Sequence, residues 1–174
     1  MRDTSQKGLM AHTAVLNRLV QRGYEVLLPW SDSLPYDLAY YTAVEERHFG
    51  FFVHRENYLV RIQCKSAWLS KDQSCIEFNT STVSSGKRGN KKSGYEGRAE
   101  YFGVYSPDTG KVYMVAVEQA ARSNMSLRLR KTRYVYEGTP VKWAAAYEIE
   151  QGWQELNPQP SLLESAALPV ELHP

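Results

Sequence analysis

Three polar residues on two short apolar segments have the types and spacing of a metal-assisted hydrolytic site. Asp37 lies in the segment 36–41, and Gln63 and Lys65 lie two positions apart in the segment 58–65. A carboxylate supplies the hard oxygen that Mg²⁺ prefers, and the side-chain carbonyl of Gln63 can supply another. A lysine on the same strand face can orient the attacking water and offset charge on a phosphorane. The pattern therefore predicts phosphodiester hydrolysis, with these three residues as catalytic groups.

The residue between Gln63 and Lys65 adds a further candidate ligand. The backbone carbonyl of Cys64 points the opposite way from those of its neighbours, and we expect it to face the metal. The predicted ligands are therefore Asp37, Gln63 and Cys64, with Mg²⁺ as the cofactor and Mn²⁺ as an alternative. The thiols of Cys64 and Cys75 lack the CxxC spacing of a zinc site, so both are predicted to serve packing.

The elements that must position these groups follow from hydrophobic periodicity and turn signals. Apolar residues recur at helical spacing from 7 to 22, and Gly23 follows as a stop signal. Alternating polar and apolar residues place Arg61, Gln63 and Lys65 on one face of a half-buried strand. The shape of 42–57 stays open. Strands are predicted at 24–28, 36–41, 58–65, 76–81 and 125–130, a hairpin at 101–105 and 111–117, and helical structure at 118–123 and 141–150.

Two basic segments stand out against a net charge of only +2. One is a Gly/Ser-rich stretch at 84–94, predicted to be a loop, and the other lies at 128–133. Local clusters of this kind are the electrostatic footprint of nucleic-acid binding, although a solvated flexible loop or ion pairing with Glu118, Glu137 or Glu148 is the alternative. The predicted DNA-binding residues are Lys87, Arg88, Lys91, Lys92, Arg128 and Arg130.

Length and composition fit one ordinary globular domain. The chain has 174 residues, of which 43% are hydrophobic and 23% charged, and this excludes a fibre or a disordered chain. We expect a single domain over 1–155 and an irregular proline-rich tail over 156–174. There is no run of about 18 apolar residues and no apolar secretory signal, so the sequence predicts a cytoplasmic protein without a membrane segment.

The segments around the polar triplet resemble a known family. Residues 34–38 and 61–66 resemble the PD-(D/E)XK nuclease signature, in the variant whose middle acid is glutamine. In the same order, five further segments resemble a compact bacterial branch that is similar to group I intron-encoded homing endonucleases. The resemblance implies an α/β restriction-endonuclease-like core with a central mixed sheet flanked by helices. It also implies Mg²⁺-dependent double-strand cleavage of DNA by a homodimer or homotetramer. The five segments are 7–8, 22–24, 78–81, 94–97 and 101–105.

One position departs from the family pattern. Relatives usually carry a glutamate one helical turn after the Lys-Gly pair, whereas this chain has His12 there and no acid between positions 3 and 25. His12 is therefore a candidate catalytic residue, although imidazole suits softer ions than Mg²⁺ and an ordinary helix-surface histidine is the alternative. Glu45 and Glu77 are acids that would compensate for the missing glutamate in the metal site.

These patterns predict a sequence-specific, metal-dependent endonuclease of double-stranded DNA, of the homing type. A structure-selective nuclease for junctions is one alternative, since the same fold serves that chemistry. A DNA-binding module with a decayed nuclease site is the other, because His12 and Gln63 stand where acids are expected. The chain has 12 tyrosines and 4 tryptophans, and five of these rings gather in the last third, at Tyr134, Tyr136, Trp143, Tyr147 and Trp153. Because such rings are enriched at interfaces, they favour an oligomer, and packing of the same rings against the sheet is the alternative.

Overall fold

The computed structural model describes residues 4–31, 33–48, 51–86, 89–131 and 140–149, with the backbone alone at 43–48, 51–57, 83–86 and 89–92. No helix in these ranges is long and apolar enough to cross a membrane. The described elements are α1 (Thr4–Gln21), β1 (Val26–Leu27), β2 (Leu38–His48), β3 (Phe51–Ser66), β4 (Trp68–Leu69), β5 (Cys75–Asn79), β6 (Thr82–Gly86), β7 (Gly89–Ser93), β8 (Tyr101–Ser106), β9 (Lys111–Ala116) and β10 (Asn124–Arg128), with short 3-10 helices at Val117–Gln119 and Ala144–Ala146.

The helix α1 follows its predicted periodicity and stop signal. It buries Ala11, Val15 and Leu19, which are four residues apart and so share one face. Gly23 has a φ of +83°, which a residue without a Cβ adopts readily. The Tyr24 N–H therefore reaches back to the Leu19 carbonyl at 3.1 Å, closing the helix with a Schellman motif. The predicted helix is confirmed, and it begins three residues earlier than expected.

A five-stranded mixed sheet forms the centre of the fold, with the strand order β1-β2-β3-β8-β9. Strands β2 and β3 are antiparallel, β3 and β8 are parallel, and β8 and β9 form the predicted antiparallel hairpin. The stretch 42–57, whose shape the sequence left open, contains the paired far halves of β2 and β3. The predicted mixed sheet is thus confirmed.

Different elements pack against the two faces of this sheet. Alternation on β9 places Val112 and Met114 in the cluster with α1, and Tyr113 and Val115 in a second cluster on the other face. That second face packs against a three-stranded sheet of order β10-β5-β4, through Phe78 of β5 among others. The α/β fold class is confirmed. Within the described residues, α1 covers one face of the sheet and the second sheet covers the other.

Two segments predicted to be helical are not α-helices. A 3-10 turn at Val117–Gln119 overlaps the start of the first segment, and another at Ala144–Ala146 lies within the second. In the second segment the Tyr147 carbonyl accepts from Met114 N–H at 2.8 Å, and Ile149 N–H donates to the Val112 carbonyl at 3.1 Å. Because these backbone groups pair with the exposed edge of β9, they are not available for helical hydrogen bonds. Tertiary pairing outweighs the helical composition around Ala144.

The basic stretch 84–94 is a hairpin rather than a loop. Strands β6 and β7 pair antiparallel from Thr82↔Ser93 to Gly86↔Gly89. The backbone groups of this stretch therefore bond to one another, which a Gly/Ser-rich composition does not reveal. Lys87 and Arg88 lie outside the described residues, as do the tail and the predicted domain limit at 155. The domain division stays a prediction.

Candidate active site

The register of β2 and β3 brings Asp37 next to Gln63 and Cys64. Leu38, the first residue of β2, pairs with Ile62. Asp37 precedes it, and its N–H donates to the Ile62 carbonyl at 2.9 Å. The aspartate therefore lies where β2 begins and beside the last residues of β3, although 26 positions separate it from Gln63 in the chain.

Two donors from β3 orient the Asp37 carboxylate. Its Oδ2 accepts a hydrogen bond from the Cys64 N–H at 2.7 Å and another from the Gln63 side-chain Nε2. Both of these bonds end on Oδ2, so the lone pairs of Oδ1 are not used by either donor. Because the side-chain nitrogen of Gln63 donates to Asp37, its amide oxygen stays available as an acceptor or a metal ligand.

The electrostatic state of Asp37 suits a bound cation. Burial raises the pKa of this carboxyl above its ordinary value, and it outweighs the lowering by the Cys64 N–H, His12, Lys65 and Gln63. A carboxylate that is desolvated without full compensation gains most from a nearby positive ion. The oxygen donors and this unbalanced charge together fit a hard divalent cation.

The backbone and the side chain of Cys64 have different surroundings. Burial first, and then the charge of Asp37, raises the pKa of the thiol well above its ordinary value, so it stays protonated. The Cys64 N–H points toward Asp37, and the N–H and carbonyl of one strand residue lie on the same strand edge. The carbonyl oxygen therefore lies on the edge that faces Asp37, while the side chain packs toward α1.

Lys65 has a partner that the sequence did not indicate. Its Nζ donates to the hydroxyl of Tyr95 at 2.9 Å and lies 4.4 Å from the centre of the same ring. Tyr95 is only 6% exposed and packs edge-on against Phe102 at 5.4 Å, so the phenol is held rigidly. The segment 94–97 carried part of the family resemblance, but a contact across 30 positions has no local signature.

His12 lies at the site but does not contact the carboxylate. Its Nε2 is 3.3 Å from the backbone oxygen of Asp37, a distance at which the imidazole N–H donates to that carbonyl. The ring therefore links α1 to the start of β2. The sequence prediction that His12 belongs to the site agrees with this placement, and its catalytic role stays a prediction.

An open cleft of about 650 Å³ gives access to His12, Asp37, Gln63 and Cys64, and Lys65 is not part of its lining. It lies between the first half of α1, the loop that joins β1 to β2, and the end of β3. The cleft is lined by Gly8, Leu9, His12, Leu28, Pro29, Ser31, Leu34, Tyr36, Asp37, Gln63 and Cys64. A cleft of this size and openness admits a nucleotide unit of a longer chain.

Of the two acids proposed as substitutes, only Glu77 has a described side chain, and it lies in the second sheet. Glu77 accepts a hydrogen bond from Trp68 Nε1 at 3.1 Å in the second sheet. Glu45 lies in β2 where the backbone alone is described. Across the described ranges, no three His, Cys, Asp or Glu side chains converge in a way that would hold a metal. Here the candidate ligands are one carboxylate and two neutral oxygens.

The arginines predicted to bind DNA lie at and beyond the end of β10. Arg128 is half-buried, and Arg130 is exposed and donates through Nη2 to the backbone oxygen of Asp72. Glu148, one of the acids given as an alternative partner, pairs with Lys111 at 2.9 Å. DNA contact by either arginine stays a prediction.

A strand-initiating aspartate, a Gln-x-Lys triplet on the adjacent strand and a mixed sheet backed by a helix together define a nuclease core. The profile of the PD-(D/E)XK endonuclease family matches residues 2–150, and the chain belongs to this family. Its members generally use divalent metal ions.

The fold is similar to that of a bacterial nuclease of known structure. That structure is described as the structure of a bacterial homing endonuclease, I-Ssp6803I, and it superposes with a TM-score of 0.63 at 21% sequence identity. The alignment covers 89% of this chain and 93% of that one. No curated protein matches the chain.

Proposed function

We propose that this nuclease is a metal-dependent, sequence-specific endonuclease that cuts both strands of DNA, of the homing type. The observation that carries the proposal is the hydrogen-bonded group of Asp37, Gln63 and Cys64 on an open cleft, with Lys65 near enough for its charge to lower the pKa of Asp37. Family membership supports DNA as the substrate. The homing type is supported by the fold shared with a homing endonuclease over nearly the whole of both chains.

Each side chain has a distinct part in the proposed hydrolysis. The Asp37 carboxylate, the Gln63 amide oxygen and the Cys64 backbone oxygen would hold a divalent ion, which supplies Lewis acidity and an acidified water when bound. The Lys65 ammonium offsets negative charge on the phosphate oxygens as the bond to the attacking oxygen forms. Tyr95 holds this ammonium in place, and His12 fixes the backbone at Asp37.

The basic hairpin β6–β7 is proposed as a phosphate-binding arm. It carries Lys87, Arg88, Lys91 and Lys92 and follows β5 after a gap of two residues. Its return strand ends at Ser93, two residues before Tyr95, so the arm is joined to the residue that holds Lys65. Cations on such an arm release counterions from DNA and make the affinity dependent on salt.

Assembly into a symmetric homodimer or homotetramer is part of this proposal. Each chain has one candidate hydrolytic site, and one site cuts one strand at a time. Two copies related by a two-fold axis place one site on each strand. Of the aromatic residues predicted at the interface, Tyr134, Tyr136 and Trp153 lie outside the described residues, Trp143 is 39% exposed and Tyr147 is half-buried. The support for an oligomer is therefore that a duplex has two strands and each chain has one candidate site.

Selection of cleaved molecules from a library of DNA duplexes with randomised centres tests the sequence specificity. We expect the products to converge on one long preferred sequence, with intact duplexes of other sequences left uncut. A branched junction whose arms have unrelated sequences serves as the comparison substrate. Equal cleavage of such junctions without any preferred duplex would instead identify a structure-selective nuclease.

A further inference from the structure

The loop between β1 and β2 forms an apolar rim on the cleft. Leu28 is 61% exposed and Trp30 is 102% exposed, whereas the other described tryptophans, Trp68 and Trp143, are about 40% exposed. Pro29 and Ser31, the neighbours of Trp30 on either side, both line the cleft that contains Asp37. Trp30 is not part of that lining, and its fully exposed indole belongs to the loop segment that borders the cleft.

This loop is organised rather than loose around the indole. Pro29 fixes its own φ immediately before Trp30. Immediately after it, the Leu34 N–H donates to the Ser31 carbonyl at 3.2 Å, and the Ser33 N–H donates to the Ser31 hydroxyl at 3.2 Å. The fold thus holds a large apolar ring in water at a defined place, which costs solvation free energy unless a partner covers the ring.

The chemistry of the rim limits what that partner is. Leu28, Pro29 and Trp30 carry no charge, so they cannot neutralise phosphates. A phosphodiester that reaches Asp37 brings its sugar and bases to the mouth of the same cleft. An indole is a large flat surface that stacks on bases or wedges between base pairs. The rim is continuous with the cleft, which makes DNA next to the cut bond the fitting occupant.

We propose that Trp30 is a DNA-contacting residue that stacks on, or wedges beside, a base adjacent to the cleaved phosphodiester. The inference rests on the proposed function, because it takes DNA as the ligand of the cleft. DNA recognition is then divided between two surfaces of the protein. The basic hairpin binds phosphates, and the Trp30 rim contacts bases and thereby selects sequences whose base steps open readily.

The test uses the duplex selected from the randomised library, with Ca²⁺ in place of Mg²⁺, and measures affinity over a range of salt concentrations. Trp30→Ala is expected to weaken binding by about tenfold or more, because the indole no longer stacks on a base, and Trp30→Phe by less. The slope of log K against log salt is expected to stay unchanged in both variants. Serine replacement of Lys87, Arg88, Lys91 and Lys92 is expected to lower that slope by about 0.9 for each phosphate that the hairpin no longer neutralises.

A control and a direct readout separate contact from a general surface effect. Val20→Ala removes another exposed apolar side chain, 56% exposed on α1 and outside the cleft lining, and is expected to bind as wild type. DNA is expected to quench tryptophan fluorescence in the wild type and less so in Trp30→Phe, since base stacking quenches an indole.

Three results would overturn the assignment in distinguishable ways. Wild-type affinity and quenching in the Trp30 variants would show that the rim does not touch DNA, while leaving the nuclease function intact. A change of molar mass by light scattering in Trp30→Ala, with the affinity of the assembled form retained, would assign the rim to a second copy of the chain. Failure of the wild type to bind or cut any duplex would remove the proposed function and this inference with it.

Discussion

Asp37→Ala is expected to lower the rate of DNA cleavage by more than about a hundredfold while leaving the fold and the DNA affinity largely intact. The carboxylate lies at the start of β2, where its Oδ2 accepts from Cys64 and Gln63, and it is the candidate metal ligand of highest charge. Its removal takes away the strongest attraction for a divalent cation. The substitution creates no cavity in either core cluster, so unfolding curves and DNA binding in Ca²⁺ are expected to stay close to wild type.

Lys65→Ala is expected to have an effect of the same kind, because the ammonium acts on charge that develops during bond cleavage. Tyr95→Phe gives the intermediate case, since it keeps the ring beside Lys65 but removes the hydroxyl that accepts its hydrogen bond. A smaller loss of rate is therefore expected for Tyr95→Phe than for Lys65→Ala.

Matched controls come from the same kinds of residue outside the cleft. Glu77→Ala removes an acid that contacts Trp68 in the second sheet, and Lys71→Ala removes an exposed lysine. Both are expected to cut DNA as wild type does. Retention of more than about a tenth of the wild-type rate by both Asp37→Ala and Lys65→Ala, a loss below about 1.4 kcal/mol, would refute the assignment of the site.

Gly103→Ala is expected to destabilise the fold by about 1–3 kcal/mol. A Cβ at this position in β8 would lie 2.6 Å from Val15 Cγ1 and 3.0 Å from Ile62 Cγ2. Both neighbours are fully buried between α1 and the sheet, so neither can move aside without disturbing the core. Urea unfolding followed by circular dichroism measures the loss.

A second substitution tests whether the clash with Val15 causes the destabilisation by Gly103→Ala. Val15→Ala opens space opposite Gly103, so the penalty of Gly103→Ala is expected to shrink in the Val15→Ala background. Gly8→Ala is the matched control, because nothing lies within 4 Å of a Cβ there and alanine favours the helix by about 0.5–1 kcal/mol. An equal penalty at Gly103 in both backgrounds would show that the clash with Val15 is not the cause.

The parts of this fold that the sequence predicts are those set by short-range periodicity. Helical spacing and Gly23 predicted α1, and strict alternation placed Val60 and Ile62 in the core with Gln63 and Lys65 on the other face of β3. The same alternation made the candidate site predictable, since it only required the start of β2 to pair with the end of β3. The register Leu38↔Ile62 provides that pairing.

The parts that the sequence does not predict depend on long-range pairing. The segment around Ala144 has helical composition, yet its neighbours Tyr147 and Ile149 bond to the edge of β9. The covering of the sheet by β4, β5 and β10, instead of by a helix, likewise depends on contacts between distant segments. At the site, the Tyr95 hydroxyl on Lys65 and the His12 ring on the Asp37 backbone are visible only once the chain has folded.

Titration of the wild-type protein with Mg²⁺ in a cleavage assay on the selected duplex tests the nuclease function most directly. Cleavage of both strands is expected to rise with Mg²⁺ to saturation, to persist with Mn²⁺, and to vanish with a chelator or in Asp37→Ala. Because one carboxylate and two neutral oxygens bind a cation more weakly than a set of acids, saturation is expected only at high Mg²⁺. Tight binding of the duplex without a strand break at any concentration of Mg²⁺ or Mn²⁺ would contradict this function and leave a DNA-binding module with an inactive site.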